Sequence, residues 1–241
     1  MKPLSHTPVF LYGLLFIVIS MLCFACSDGD KNSAASTASQ IDPSFSFFDV
    51  GVNTPFSHAL RKSLYDILGD DAISTRNTID LQINTDGFLS RHYPELQGLN
   101  DSLNTPAGER VEHDTTKLTY RYAVKKDLPF EYVELLFSHH SRMPMAIRAF
   151  FKKDQLDVLS SLRNKYGDPK EYPWKQENGK SLCWEKSGDV LFYSYVPNQF
   201  GVPEYQVTIY FTRHLQSLLD SEQGKSSDLK TPSAPSSKSV F

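Results

Sequence analysis

The sequence predicts an α+β body, an antiparallel sheet or sheets packed with two to three helices. Two observations carry this reading. Apolar residues alternate with polar or small ones in several short runs, which gives strands one buried and one wet face. Between those runs lie segments whose apolar residues recur at helical spacing and which stop at glycine.

The elements follow in chain order. Phe45 to Val52 is an apolar run suited to a strand. Thr54 as N-cap and Pro55 at the first helical position predict a helix, because proline's missing N–H costs nothing there. Phe56, Leu60, Leu64, Ile67 and Leu68 give that helix one apolar face, and Gly69 ends it. A short strand over 79–83 follows, then a turn at Asn84-Thr85-Asp86-Gly87, and a second helix starts at Pro94. Leu118, Tyr120, Tyr122 and Val124 alternate; so do Val133, Leu135 and Phe137, and Ile147, Ala149 and Phe151. Ser141-Arg142-Met143-Pro144 supplies the turn between the last two. Asp154 caps a helix with Leu156, Leu159, Leu162 and Tyr166 on one side, ended by Gly167, with Pro169 preventing continuation. Strands over 182–186, 190–196 and 205–212 close the body, the last with Tyr205, Val207, Ile209 and Phe211 on one face.

The body therefore spans 44–220. LYDILGD (64–70) and LRNKYGD (162–168) are both amphipathic helix ends stopped by Gly-Asp. Two related halves, 44–105 and 115–220, would produce this echo; so would the stop chemistry that helices share. Residues 221–241 (SEQGKSSDLKTPSAPSSKSVF) hold almost nothing apolar and read as a loose tail.

Ahead of the body, Val9 to Phe24 is an apolar run preceded only by the charge of Lys2. It is short for a membrane span of about 20 residues and matches a signal-peptide core. Leu22-Cys23-Phe24-Ala25-Cys26 resembles the lipobox of bacterial lipoproteins, with Ala25 fitting and Cys23 and Phe24 departing from the pattern. The resemblance implies cleavage of a 1–25 signal peptide and acylation of Cys26. Residues 26–43, Ser- and Ala-rich, then form a lipid-anchored tether. Ser27 resembles the outer-membrane sorting habit, which implies an outer-membrane protein facing the periplasm. Two alternatives stand: cleavage by ordinary signal peptidase at the same bond, and retention of the run as an uncleaved anchor.

Composition excludes some functions. Without residues 1–25, whose only charge is Lys2, the chain keeps 24 basic against 28 acidic side chains, a net charge of −4. No nucleic-acid partner is indicated. Cysteines are few: Cys23 leaves with the leader, Cys26 is acylated, and Cys183 stays alone as a small buried side chain, or pairs with Cys26 if lipidation fails.

A helix ending in Leu162, Tyr166, Gly167, Asp168 and Pro169, followed by a meander bearing Trp184 and Tyr210, resembles uncharacterised bacterial envelope lipoproteins. It is also similar to the helix-on-sheet modules of small outer-membrane lipoproteins and to β-lactamase-inhibitor-like domains. The resemblance covers about a quarter of the chain and implies binding to another envelope protein rather than catalysis.

No phosphate-binding glycine loop, nucleophile elbow or paired metal-ligand helix is present in the sequence. No cofactor is indicated. Trp184, Tyr193, Tyr195 and Tyr210 are the candidate binding surface, with Trp174 nearby; helices covering both sheet faces would instead make them core. His139, His140, Met143 and Met145 form the alternative, an envelope copper site built on soft donors. Neighbouring strand residues point to opposite faces, which argues for an ordinary turn there. Asp70, Asp71 and Asp86 solvate a helix end and a turn; they supply too few oxygens for a calcium loop. A hydrolase assembled from distant residues is the third reading, with no nucleophile nameable.

Overall fold

A computed structural model describes residues 44–83, 87–105, 108–121, 127–151, 156–174, 179–197 and 203–228. The leader, Cys26 and the tether fall outside them, as do Asn84 to Asp86, Tyr122, Val124, Asp154 and the chain after 228. The fold is α+β. A two-stranded hairpin, β1 (Ser46–Phe47) and β2 (Val50–Gly51), leads into α1 (His58–Leu68) and β3 (Asp71–Thr78). Then come α2 (Phe88–His92), α3 (Pro94–Ser102), β4 (Glu112–Tyr120), β5 (Tyr132–Ser138) and β6 (Pro144–Phe151). The second part holds α4 (Leu156–Tyr166), β7 (Lys170–Pro173), β8 (Lys180–Lys186), β9 (Asp189–Pro197), β10 (Pro203–Tyr210) and α5 (Thr212–Asp228).

Eight strands form one antiparallel sheet in the order β3-β4-β5-β6-β10-β9-β8-β7. It consists of two meanders, β3 to β6 and β7 to β10, each entered from a helix. They join where β6 pairs antiparallel with β10, Ile147 opposite Ile209 and Ala149 opposite Val207. This division falls between β6 and α4, not between 105 and 115. LYDILGD and LRNKYGD occupy corresponding places, each leading a helix into the outermost strand of its meander. Gly69 and Gly167 both take a positive φ (86° and 82°) that suits glycine, and their N–H groups close the helix ends on Tyr65 and Arg163 carbonyls.

Strand alternation sorts the core into two clusters, one per face. Leu118, Val133, Leu135, Ile147, Val207 and Ile209 point to the first face, where Leu60, Leu64 and Leu68 of α1 cover them. Leu159, Leu162 and Tyr166 of α4 pack against the same cluster. Leu136, Ala146, Phe192 and Tyr210 point to the second face, beneath Phe88, Leu89, Leu96, Leu215 and Leu218 of α2, α3 and α5. The Tyr166 hydroxyl accepts from Ser46 N–H at 3.0 Å and so ties the first hairpin to α4.

Four further expectations are corrected. The first helix starts at His58, capped by Ser57, whose Oγ accepts from Leu60 N–H at 3.0 Å. Thr54 instead closes the β1–β2 hairpin: its Oγ1 accepts from Gly51 N–H, and the Phe56 N–H donates to Arg142 carbonyl outside any helix. The strand expected at 79–83 is absent, and β3 lies just before it. Ile79 and Leu81 alternate because they fill the second cluster, but Asn100 Oδ1 and the Tyr210 hydroxyl take the Leu81 N–H and carbonyl, so no strand partner is left. Asp71 does not solvate a helix end. Both its oxygens are held by Arg61 Nε and Nη2 at 2.8 Å, locking α1 to β3.

The fourth correction concerns the tail. The body does not end at 220, and 221–228 continue α5. Leu215, Leu218 and Leu219 recur at i, i+3 and i+4 and are buried. Asp189, fully buried, receives Thr212 N–H at 3.0 Å and ties β9 to the start of this helix. Near its far end Glu222 meets His113 Nδ1 at 2.8 Å, while His113 Nε2 meets the Leu103 carbonyl at 2.8 Å. Because a carbonyl only accepts, Nε2 carries a hydrogen.

His113 is 3% exposed, so removing Glu222 strands a buried polar atom. Deleting residues 221–241 should therefore lower unfolding stability by about 1–3 kcal/mol, read from urea denaturation. An unchanged midpoint would mean that the last turns of α5 do not hold β4.

Candidate functional site

The four aromatic residues of the expected binding surface do not form one. Trp184 and Tyr193 are buried in the first cluster, and Tyr210 is buried in the second, on the opposite face. Trp184 Nε1 donates to the Gly167 carbonyl at 2.8 Å, and the Tyr210 hydroxyl to the Leu81 carbonyl at 2.7 Å. Only Tyr195 is half-exposed, with its ring 4.8 Å from that of Tyr205. The physical reason is that helices lie over both faces, so alternation alone leaves no bare aromatic strip. Trp174 is buried too, donating to Ser181 Oγ at 3.0 Å.

The His-Met segment is the β5–β6 turn, closed by Arg142 N–H donating to the Ser138 carbonyl at 2.9 Å. His139 and His140 stay exposed on it, and Met143 is half-buried. Met145 is fully buried in the second cluster, where packing occupies the thioether. The four donors are thus divided between the surface and the core. Among the described residues, no group of three His, Cys, Asp or Glu side chains is placed to hold a metal.

Cys183 is buried beneath α2 and α3, and burial pushes its thiol up to about 12. It remains a thiol at neutral pH and is no nucleophile. Burial, then the neighbouring Cys183, raises the Tyr93 phenol as well, so this phenol stays a neutral donor, 3.3 Å from Glu185 Oε1. Lys170 Nζ lies 3.1 Å from the same oxygen. Tyr93, Lys170 and Glu185 line a cleft of about 530 Å³ between the α2–α3 junction and β7–β8.

A different surface stands out once the strand register is known. On the second face Glu134 of β5 lies opposite Arg148 of β6, which lies opposite Thr208 of β10. One step along the strands, Tyr132 lies opposite Phe150, Phe150 opposite Gln206, and Gln206 opposite Ser194. A polar and aromatic band thus crosses four strands on a face that is apolar nearer α5, where Leu136, Ala146, Phe192 and Tyr210 sit. Tyr132, Glu134, Arg148, Phe150 and Gln206 are each half-buried.

Their groups are held firmly. Arg148 Nη2 donates to the Asp80 carbonyl and to the Tyr210 hydroxyl at 3.3 Å, which fixes the guanidinium across the ring of Tyr210. Glu134 accepts from the Tyr132 hydroxyl at 2.5 Å and lies 3.5 Å from Lys117 Nζ. Burial and then the Glu134 carboxylate push the Tyr132 phenol up to about 12, so it donates throughout the neutral range. The Tyr132 and Phe150 rings are 5.6 Å apart, and the exposed Arg121 guanidinium stands 5.5 Å from the Tyr132 ring. A cavity of about 200 Å³ opens beside Asp80, Lys117, Glu134 and Arg148. Fixed charges, neutral donors and two flat rings suit recognition of a polar surface. The band pairs no nucleophile with a base.

No family model, curated protein or solved structure matches this chain. The site must be read from its own geometry. Sequence reasoning took the odd-numbered residues of β5 and β6 as the core face and left the even ones as the wet face. The signal was there: Tyr132, Glu134, Arg148 and Phe150 alternate with Val133, Leu135, Ile147 and Ala149. What the sequence lacked was the pairing that brings them side by side.

Two outcomes check this assignment. Trp184→Ala and Tyr210→Ala should each cost about 3–5 kcal/mol, as for large buried aromatics, whereas Tyr132→Ala should cost well under half as much, measured by urea unfolding. Cys183 should stay unreactive toward a thiol reagent at pH 8 in the native protein and react on denaturation; prompt native labelling would contradict its burial.

Proposed function

We propose that this chain is a non-catalytic, lipid-anchored protein of the bacterial cell envelope whose body binds another envelope protein through the Tyr132–Phe150–Gln206 band. The leader pattern ending at Cys26 supports the anchor and an outer-membrane, periplasm-facing location. The band supports the binding role and is the observation that carries it. A sheet face that mixes a fixed ion pair, neutral donors and aromatic rings, half-open to solvent, has the composition of a protein interface. Tyr132 and Phe150 are the anchors in this reading, with Arg121 and Gln206 at the rim. The absence of a nucleophile–base pair in the band favours this role over chemistry.

Intact mass and thiol counting test the anchor together. Protein from the membrane fraction should have the mass of residues 26–241 plus a diacylglyceryl group and a fatty acid. It should show no reactive thiol in the native state and one, Cys183, on unfolding. A native thiol on an unmodified chain in the soluble fraction would overturn the anchor.

The binding role is tested by photocrosslinking from position 132 in intact membranes. A discrete adduct is expected, and Tyr132→Ala with Phe150→Ala should reduce partner recovery by about tenfold or more while the unfolding midpoint barely moves. Undiminished recovery from that folded variant would remove the band from the interface.

A further inference from the structure

The two edges of the eight-stranded sheet are treated very differently. At one edge β7 is four residues long, Lys170-Glu171-Tyr172-Pro173, with two charges and a proline that has no N–H to offer. These are the devices that blunt an edge against strand addition. At the other edge β3 runs for eight residues, Asp71–Thr78. Positions 72 to 76 are all exposed, although successive residues point to opposite faces. Neither helical layer therefore reaches over the middle of this strand.

Its blunting features, the exposed Arg76 and the irregularity beside it, stand only at the far end of the strand and leave residues 72–75 uncharged. Asp71 is neutralised by Arg61, and Ala72-Ile73-Ser74-Thr75 is uncharged and proline-free. Ile73 is 44% exposed. Tyr65, 51% exposed, sits one turn beyond Arg61 on the same side of α1, the side that holds β3. These are the two most exposed large hydrophobic residues among those described, and both flank the same edge. After Thr75 the register breaks at Arg76, whose φ of 58° ends the regular ladder.

We propose that β3 is a strand-addition site at which a second copy of this chain adds its own β3 in antiparallel orientation across a two-fold axis. The segment is self-complementary about Ile73. Ile73 then faces its own copy, Ala72 faces Ser74, and Asp71 faces Thr75, so no like charges meet and two exposed isoleucines cover one another. The irregularity at Arg76 limits the ladder to residues 71–75 of each copy. An interface of this length is small against the roughly 1,200 Å² or more of stable complexes, so the association is reversible. This inference stands apart from the Tyr132–Phe150 band, because residues 71–75 of β3 lie at the sheet's rim, outside that band.

The test uses the chain as it is purified from the producing cell. Sedimentation at roughly 100 µM, a concentration that populates micromolar complexes, should show a dimer for the wild type and a monomer for Ile73→Lys. At a dilution that leaves both monomeric they should unfold at the same midpoint, since Ile73 is exposed. Mild oxidation should cross-link Ile73→Cys to its copy, while Thr78→Cys, beyond the break, should stay monomeric. A monomeric wild type, a dimer that survives Ile73→Lys, or equal cross-linking at Thr78 would overturn the proposal. So would a β3 edge that captures a different protein's strand while the chain itself stays single.

Discussion

The pairing of β6 with β10 is the interaction on which the rest of this structure depends. It converts two four-stranded meanders into one sheet and sets the register that aligns the apolar residues of both on the same two faces. A one-residue slip there would turn Ile209 and Val207 away from α1 and α4 and bring Thr208 into their place. Because α1 and α4 cover one face while α2, α3 and α5 cover the other, both helical layers rely on that seam for a continuous floor. The hydrogen bonds that tie distant parts together reinforce it: Arg148 reaches from β6 to Asp80 and Tyr210, and Asp189 from β9 to the start of α5.

Much of this architecture was legible in the sequence. Period-two runs marked β4, β5, β6, β8, β9 and β10, and Val207, Ile209 and Phe211 share the face expected of them. Helical spacing marked α1 and α4, Pro94 marked the start of α3, and the glycine stops at 69 and 167 hold. What escaped has a common physical cause, which is that local pattern reports burial and not hydrogen-bond partners. Ile79 and Leu81 are buried in alternation without being a strand. Asp71 to Thr78 is a strand without apolar alternation, because its exposed edge position imposes none. The end of α5 looked too polar to be structured, yet the contact of Glu222 with the buried His113 holds it to β4.

The candidate surface was less legible, for a related reason. Counting aromatic residues singled out Trp184, Tyr193 and Tyr210, but a ring's size favours burial as strongly as binding. Half-exposed side chains such as Tyr132, Glu134 and Phe150 drew less notice because each is ordinary in its own strand. Their meaning comes from adjacency across β5, β6 and β10, and Phe150 and Gln206 are separated by more than fifty residues of chain. The His-Met segment illustrates the converse. Donors close in sequence are parted when Met145 turns into the core and the histidines remain on the turn.

The central seam also dictates an order of events during synthesis. The last strand of the second meander closes onto the last strand of the first, so β6 has no second neighbour until residues 203–210 have emerged. Until then the first meander is a half-sheet with a long open border in its middle, and its Ile147, Ala149 and Phe151 lack their final cover. Closure joins segments some sixty positions apart, a non-local step of the kind that makes folding slow. A sheet built this way is completed only by its last strand.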